Sequence, residues 1–162
     1  MGRRICISAI LGGAGQVRTN IHYIPLPKGK RFRAGELSAE LTWYPQYSQR
    51  WSGRFNRGQG VLDSAVLQYS DAYVPMRSGS LKQRAAVATA VGSGLIVYPG
   101  PYAKVNWYGK VMAGKAPKHV TTKDIVFHRG APKRGKMWVK RMWADRGKAV
   151  MTLVRKTAGG RK

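Results

Sequence analysis

Acid is what this sequence lacks most. Six Asp and Glu stand against 30 Lys and Arg in 162 residues, a formal net charge of +24. None of the six is paired at close spacing with another, which leaves little for two-carboxylate catalysis. The single cysteine, Cys6, excludes an internal disulfide and any multi-cysteine zinc site. His22, His119 and His128 stand far apart with no ligand spacing and read as surface or loop histidines rather than metal ligands. Gly12, Gly13 and Gly15 lack the Lys-Ser/Thr or later ribose acid that a phosphate-cradling loop needs. No enzyme, metal or cofactor is expected. Long apolar runs are missing too: Ile5 to Leu11, broken by Ser8, is too short to span a bilayer. Arg3 and Arg4 before it give a faint look of a signal peptide, but a soluble protein is the better reading.

Positive charge is abundant, and it is uneven. From Lys104 to Lys162 there are 17 Lys and Arg against Asp124 and Asp145, so more than half of the surplus lies in the last third or so of the chain. Between Leu62 and Ala103 only Arg77, Lys82 and Arg84 face Asp63 and Asp71. The middle reads as core, with basic material on either side. A surplus of this size points to a polyanionic neighbour, most simply nucleic acid, with acidic protein surfaces and membranes attracted by the same field.

The length suits one domain with appendages. Residues 1–40 read as a basic N-terminal arm or extension, 41–156 as the domain, and 157–162 as a flexible tail. Within the arm, "IPLPKGKRFRAG" (Ile24 to Gly35) combines proline, glycine and basic residues with little periodicity and reads as an extended arm or loop.

Periodicity predicts a helix in "NRGQGVLDSAVLQYSDAYV": Val61, Leu62, Ala65, Val66, Tyr69, Ala72 and Tyr73 share a side, with Asp63, Gln68 and Ser70 opposite. Asn56 and Gln59 have capping-box spacing, Gly58 and Gly60 weaken the first turn, and Pro75 stops the helix. A hinge, "YVPMRSGSLKQ", follows, in which Gly79 supplies a positive φ and Leu81 returns the chain to the core as a strand. Leu81 to Tyr98 reads as a β-hairpin about Gly92, Ser93 and Gly94, with a helix over Leu81 to Ala90 the alternative on alanine content. Pro101 and Gly109 bracket a short helix with Tyr102, Val105 and Tyr108 or Trp107 facing the sheet. A second long helix in "KMWVKRMWADRGKAVMTLVRK" places Trp138, Met142, Ala149, Val150 and Leu153 on one stripe. The fold class expected is α+β: a small antiparallel sheet with a long helix before the hairpin, a short helix after it, a C-terminal helix, and basic extended arms.

The ordered set of Asp71, Tyr73, Val74 and Pro75, then Ser78, Gly79 and Leu81, then Pro101, Tyr102, Ala103, Tyr108 and Gly109, and finally Trp138 resembles the minor capsid or neck proteins of long-tailed bacteriophages. The resemblance runs from roughly Leu41 to Val154. It implies a structural subunit of a ring at the head–tail junction, in the neck, tail-completion or tail-terminator position, assembled in the host cytoplasm. The implied partners are further copies of the chain, with a hexamer favoured over a dodecamer, adjacent neck and tail proteins, and double-stranded DNA in the channel, held without sequence readout. A monomeric basic RNA- or DNA-binding protein working through phosphate contacts is the competing reading.

Two basic groups are candidate contacts: Lys28, Lys30, Arg31 and Arg33 for subunits or partners, and Lys133, Arg134, Lys136, Lys140 and Arg141 for the DNA channel or a partner. Six copies would carry about 144 positive charges against roughly 24 phosphates over an assumed ~40 Å of duplex. Most of that charge is therefore expected to meet protein, solvent or counterions. The interleaving of basic and aromatic residues in "QRWSGRFNRG" and "KMWVKRMWADRGK" could serve base stacking. Helical spacing favours the plainer reading, with Trp51, Phe55, Trp138 and Trp143 partly core or interface.

Overall fold

A computed structural model describes residues 22–115, 117–127 and 132–159. The apolar run at Ile5, Cys6 and His128 lie outside them. In chain order the elements are β1 (Lys30–Ala34), β2 (Leu37–Leu41), α1 (Tyr47–Ser70), α2 (Ser80–Ala88), α3 (Ala103–Tyr108), β3 (Lys110–Ala113), β4 (His119–Asp124) and α4 (Trp138–Thr157). The class is α+β with a C-terminal helix, as expected. Its strands form two separate two-stranded antiparallel sheets, β1 with β2 and β3 with β4. No helix among the described residues is long and apolar enough to cross a membrane.

The core lies between α1 and α4, which run antiparallel. A methyl group on Gly58 of α1 would sit 3.6 Å from Ala158 and 3.8 Å from Val154, at the far end of α4. Tyr73, just past α1, meets Asp145 in the first half of α4. Val66, Val74, Ile96, Trp138, Met142 and Val150 fill the space between. The stripe on α4 is therefore Trp138, Val139, Met142, Gly147 and Val150; Ala149 and Leu153, expected on it, are exposed.

α1 starts at Tyr47, well ahead of the expected capping box. Asn56 is an interior residue whose Oδ1 accepts the backbone N–H of His22 at 3.0 Å. The two glycines do not delay the helix, because tertiary packing outweighs their modest propensity cost. One turn and two turns earlier, Ser52 accepts the N–H of Ile24 at 2.9 Å and Ser48 donates to its carbonyl. Residues at i, i+4 and i+8 share a helix face, so these three side chains hold the incoming chain against α1. At the other end Val74 N–H still bonds Ser70 O at 3.0 Å before Pro75. The proline stop holds.

The hairpin expected over Leu81 to Tyr98 is absent. Its first half is α2, built from Leu81, Lys82, Gln83, Arg84 and alanines, all good helix formers. Leu81 accordingly reaches the core from a helix rather than an edge strand. The second half, Leu95 to Tyr98, forms no strand because side chains take its ladder groups. Ser93 Oγ accepts the N–H of Leu95 at 3.2 Å and Thr89 Oγ1 that of Val97 at 3.1 Å, while Asp63 Oδ2 fixes the preceding turn by accepting the N–H of Gly92 at 2.8 Å and of Gly94 at 3.0 Å. Both glycines do have positive φ. Asp63 and Ser70, expected on the outer side of α1, are buried.

Candidate functional site

Among the described residues no catalytic constellation assembles. Between α1 and α2 lies an open cleft lined by Leu67, Val74, Ala85 and Tyr98, whose charged groups are Asp71 and Lys82. These two form an ion pair at 2.5 Å, and no nucleophile–base pair accompanies them. Among the described residues no three His, Cys, Asp or Glu side chains converge as metal ligands would.

The motif residues instead form a joint between the helices. Asp71 reaches across the hinge to Lys82 of α2. The Tyr73 hydroxyl donates to Asp145 Oδ2 at 2.7 Å, and its carbonyl accepts the N–H of Gly135 at 3.2 Å. That hydrogen bond to a carboxylate, aided by burial, raises the Tyr73 phenol above its ordinary pKa. Val74 is buried, Pro75 ends the last turn, and Ser78 bonds Ser80 through their hydroxyls. Gly79 sits at φ 79° as the N-cap of α2, a left-handed conformation that costs any residue with a Cβ. The hinge is thus a physical coupling of α1, α2 and α4.

The second half of the motif divides. Ala103 is buried, and Gly109 closes α3 at φ 68° and hands its carbonyl to Ile125 N–H at 2.8 Å. Pro101 precedes the helix, and Tyr102 and Tyr108 point outward, with Tyr102 65 % exposed. Trp107, not these tyrosines, packs inward. Its ring meets Trp138 edge-on with centroids 4.8 Å apart, and Tyr98 meets the same indole at 5.2 Å. Trp138 is 1 % exposed, and burial pushes the Tyr98 phenol up. Met137, at φ 51°, starts α4 from a left-handed position rare for a non-glycine residue. Its N–H is tied to Trp107 O at 3.0 Å, which offsets part of that strain.

The two basic groups lie on different surfaces. Lys28, Lys30, Arg31 and Arg33 are exposed on or just before β1, where Arg31 pairs with Glu40 of β2 at 3.1 Å. The segment read as an unpatterned arm therefore becomes a strand from Lys30. Lys133, Arg134, Lys136, Lys140 and Arg141 gather about the start of α4. Lys133 stands over the Tyr73 ring at 5.8 Å, Lys136 packs beside Gly109, and Arg141 reaches the carbonyl of Pro132 at 3.4 Å. Arg134 is half-buried, while the other four are exposed. The first turn of α4 has no acid, so these cations add to the positive end of the helix dipole instead of opposing it. Such self-repulsion is relieved when anions approach.

Trp51 and Phe55, expected to be partly core or interface, belong to a longer aromatic surface. Trp43, Tyr47, Trp51 and Phe55 form a ladder of rings at one-turn spacing, with successive centroids 5.4, 6.0 and 6.1 Å apart. Arg54 lies 5.3 Å from the Trp51 centroid. Trp138 and Trp143 belong to the core or pack on it, whereas this ladder runs outside, with Trp43 and Phe55 exposed. The i, i+4 spacing of aromatic residues was the available signal.

A family model described as minor capsid protein matches residues 46–157, which takes in α1, the hinge, α3 and α4 and leaves β1 and β2 outside. No curated protein and no solved structure gives a significant match.

Proposed function

Because the chain belongs to the minor capsid protein family, and is thereby a structural protein of the phage virion, we propose that it is a subunit of a ring at the head–tail junction. In that position it would help join head to tail around the DNA channel. The observation that carries the reading is the joint: one connected set of contacts, Asp71 to Lys82, Tyr73 to Asp145 and Trp107 to Trp138, locks three helices and a turn. A subunit repeated around a closed ring has to present the same surfaces at every position, and a rigid joint supplies that.

Charge supports the partners. The cations at the start of α4 suit non-specific contact with duplex phosphates or with an acidic neighbouring ring, neither of which requires base readout. The cations of β1 suit a neighbouring protein. Reversing Lys28, Lys30, Arg31 and Arg33 together should weaken head–tail joining more than DNA retention in filled heads.

Cryo-electron microscopy of intact virions, with the chain carrying an epitope label, tests the assignment. A closed ring on the tail axis is the expected result, with six copies favoured over twelve. Label scattered over the head shell would refute the ring. So would a purified chain that stays monomeric, never enters virions and binds RNA with steep salt dependence.

A further inference from the structure

The β1–β2 hairpin has two unlike faces. Its register sets Phe32 opposite Ala39, Ala34 opposite Leu37 and Lys30 opposite Leu41, and alternate residues of a strand share a face. Phe32, Ala34, Leu37, Ala39 and Leu41 therefore lie on one side, with Lys30 at its end. Arg31, Arg33, Ser38 and Glu40 lie on the other. An antiparallel sheet with this alternation ordinarily buries its apolar side. Here every residue of both strands is exposed, Phe32 by 56 % and Leu37 by 79 %. A two-stranded hairpin alone is marginal in water, and such a face calls for a cover.

We propose that the apolar face of this hairpin is covered in the virion by a different protein, whose surface presents an apolar floor rimmed with acidic side chains. The charge of the chain itself selects that occupant. Five of its acids are already engaged: Glu40 by Arg31, Asp71 by Lys82, Asp124 by Lys110, Asp145 by Tyr73, and Asp63 by the loop at Gly92 and Gly94. A second copy would bring another +24 and no acidic patch to meet Lys28 and Lys30, the cations at the end of the apolar side. Duplex DNA would satisfy the cations but offers no floor for Phe32 and Leu37. Five side chains fall well short of the roughly 800 Å² per partner of a stable complex, so the hairpin is one part of a larger contact. Trp43 and Tyr44, two and three residues past β2, are exposed as well.

The inference rests on the chain working inside a virion and is independent of which ring it occupies. Photo-crosslinking tests it: Leu37→p-benzoylphenylalanine and, as the opposite-face control, Ser38→p-benzoylphenylalanine, each in the full chain packaged in virions. Leu37 should give an adduct with a different virion protein at several times the yield of Ser38. An adduct with a second copy, an adduct with DNA, equal yields at the two positions, or no adduct would each overturn the proposal. Hydrogen exchange on the unmodified chain needs no substitution. Amides of residues 30–41 should slow at least about tenfold on going from purified protein to virion, and unchanged exchange would also overturn it. If the adduct lies with a head-shell protein, the ring assignment fails while this inference stands.

Discussion

Removing the Asp63 carboxylate should unmake the loop between α2 and α3. The side chain projects from the middle of α1, 3 % exposed, and accepts three hydrogen bonds, from Gly92 N–H, Gly94 N–H and Gln59 Nε2 at 2.8, 3.0 and 2.8 Å. In Asp63→Ala two backbone donors and one amide lose their acceptor in a part-buried place. Hydrogen bonds to a charged group contribute about 1.5–3 kcal/mol each and are not additive when they share one acceptor, so the expected loss is about 3–5 kcal/mol. At 2–4 °C per kcal/mol for a chain of this size, the melting temperature should fall by about 6–20 °C. Asp63→Asn is the informative companion. Its amide oxygen can still take both glycine N–H groups while Gln59 turns its own carbonyl toward the new NH₂, so only charge assistance is lost, about 1 kcal/mol. Urea unfolding followed by far-UV circular dichroism reads both, with an unchanged m-value as the sign that the same structure unfolds. If Asp63 were merely a tolerated buried charge, neutral replacements would be neutral or stabilising. An Asp63→Ala protein within 1 kcal/mol of the parent would refute the reasoning.

Three further outcomes are expected. Gly79→Val should lose roughly 1–3 kcal/mol from backbone strain, since among the described residues no atom beyond its chain neighbours lies within 4 Å of an added Cβ; an unchanged melting temperature would remove the hinge argument. Trp138→Ala should cost about 3–5 kcal/mol, whereas Trp138→Phe, which keeps a ring between Trp107 and Tyr98, should be milder; efficient quenching of Trp138 fluorescence would contradict its burial. Tyr73 and Tyr98 have phenols raised above the usual value of 10.0, so folding holds their protons more tightly than the unfolded chain does. Their contribution is present below pH 10 and is lost as pH rises through their folded pKa values. Ultraviolet absorbance of the folded protein should show phenols that titrate above 10.0, Tyr73→Phe and Tyr98→Phe should each remove one of them, and denaturant should abolish the delay.

Local pattern was enough for α3, α4, the proline stop at Pro75 and the left-handed turn at Gly79, since each depends on residues within a turn or two of one another. The order of the motifs, from Asp71 through Trp138, sufficed to indicate the family. What local pattern could not supply was the fate of groups whose partners lie far along the chain. Asp63 looked like a solvated face of α1 because Gly92 and Gly94 come 29 and 31 residues later; once they arrive, the carboxylate is buried and fixes the turn, while Ser93 and Thr89 take the amides of the β-prone run at Leu95 and Val97. The stripe on α4 shifted from Ala149 and Leu153 toward Val139 and Gly147 because the rotation of a helix about its axis is set by what it packs on, here α1. The amphipathy of β1 and β2 became visible only with the register, since pairing Phe32 with Ala39 decides which side chains share a face. Composition and short-range order determined the class and the family; distant hydrogen-bond partners and helix-on-helix packing decided which polar residues are inside and which apolar ones are left out.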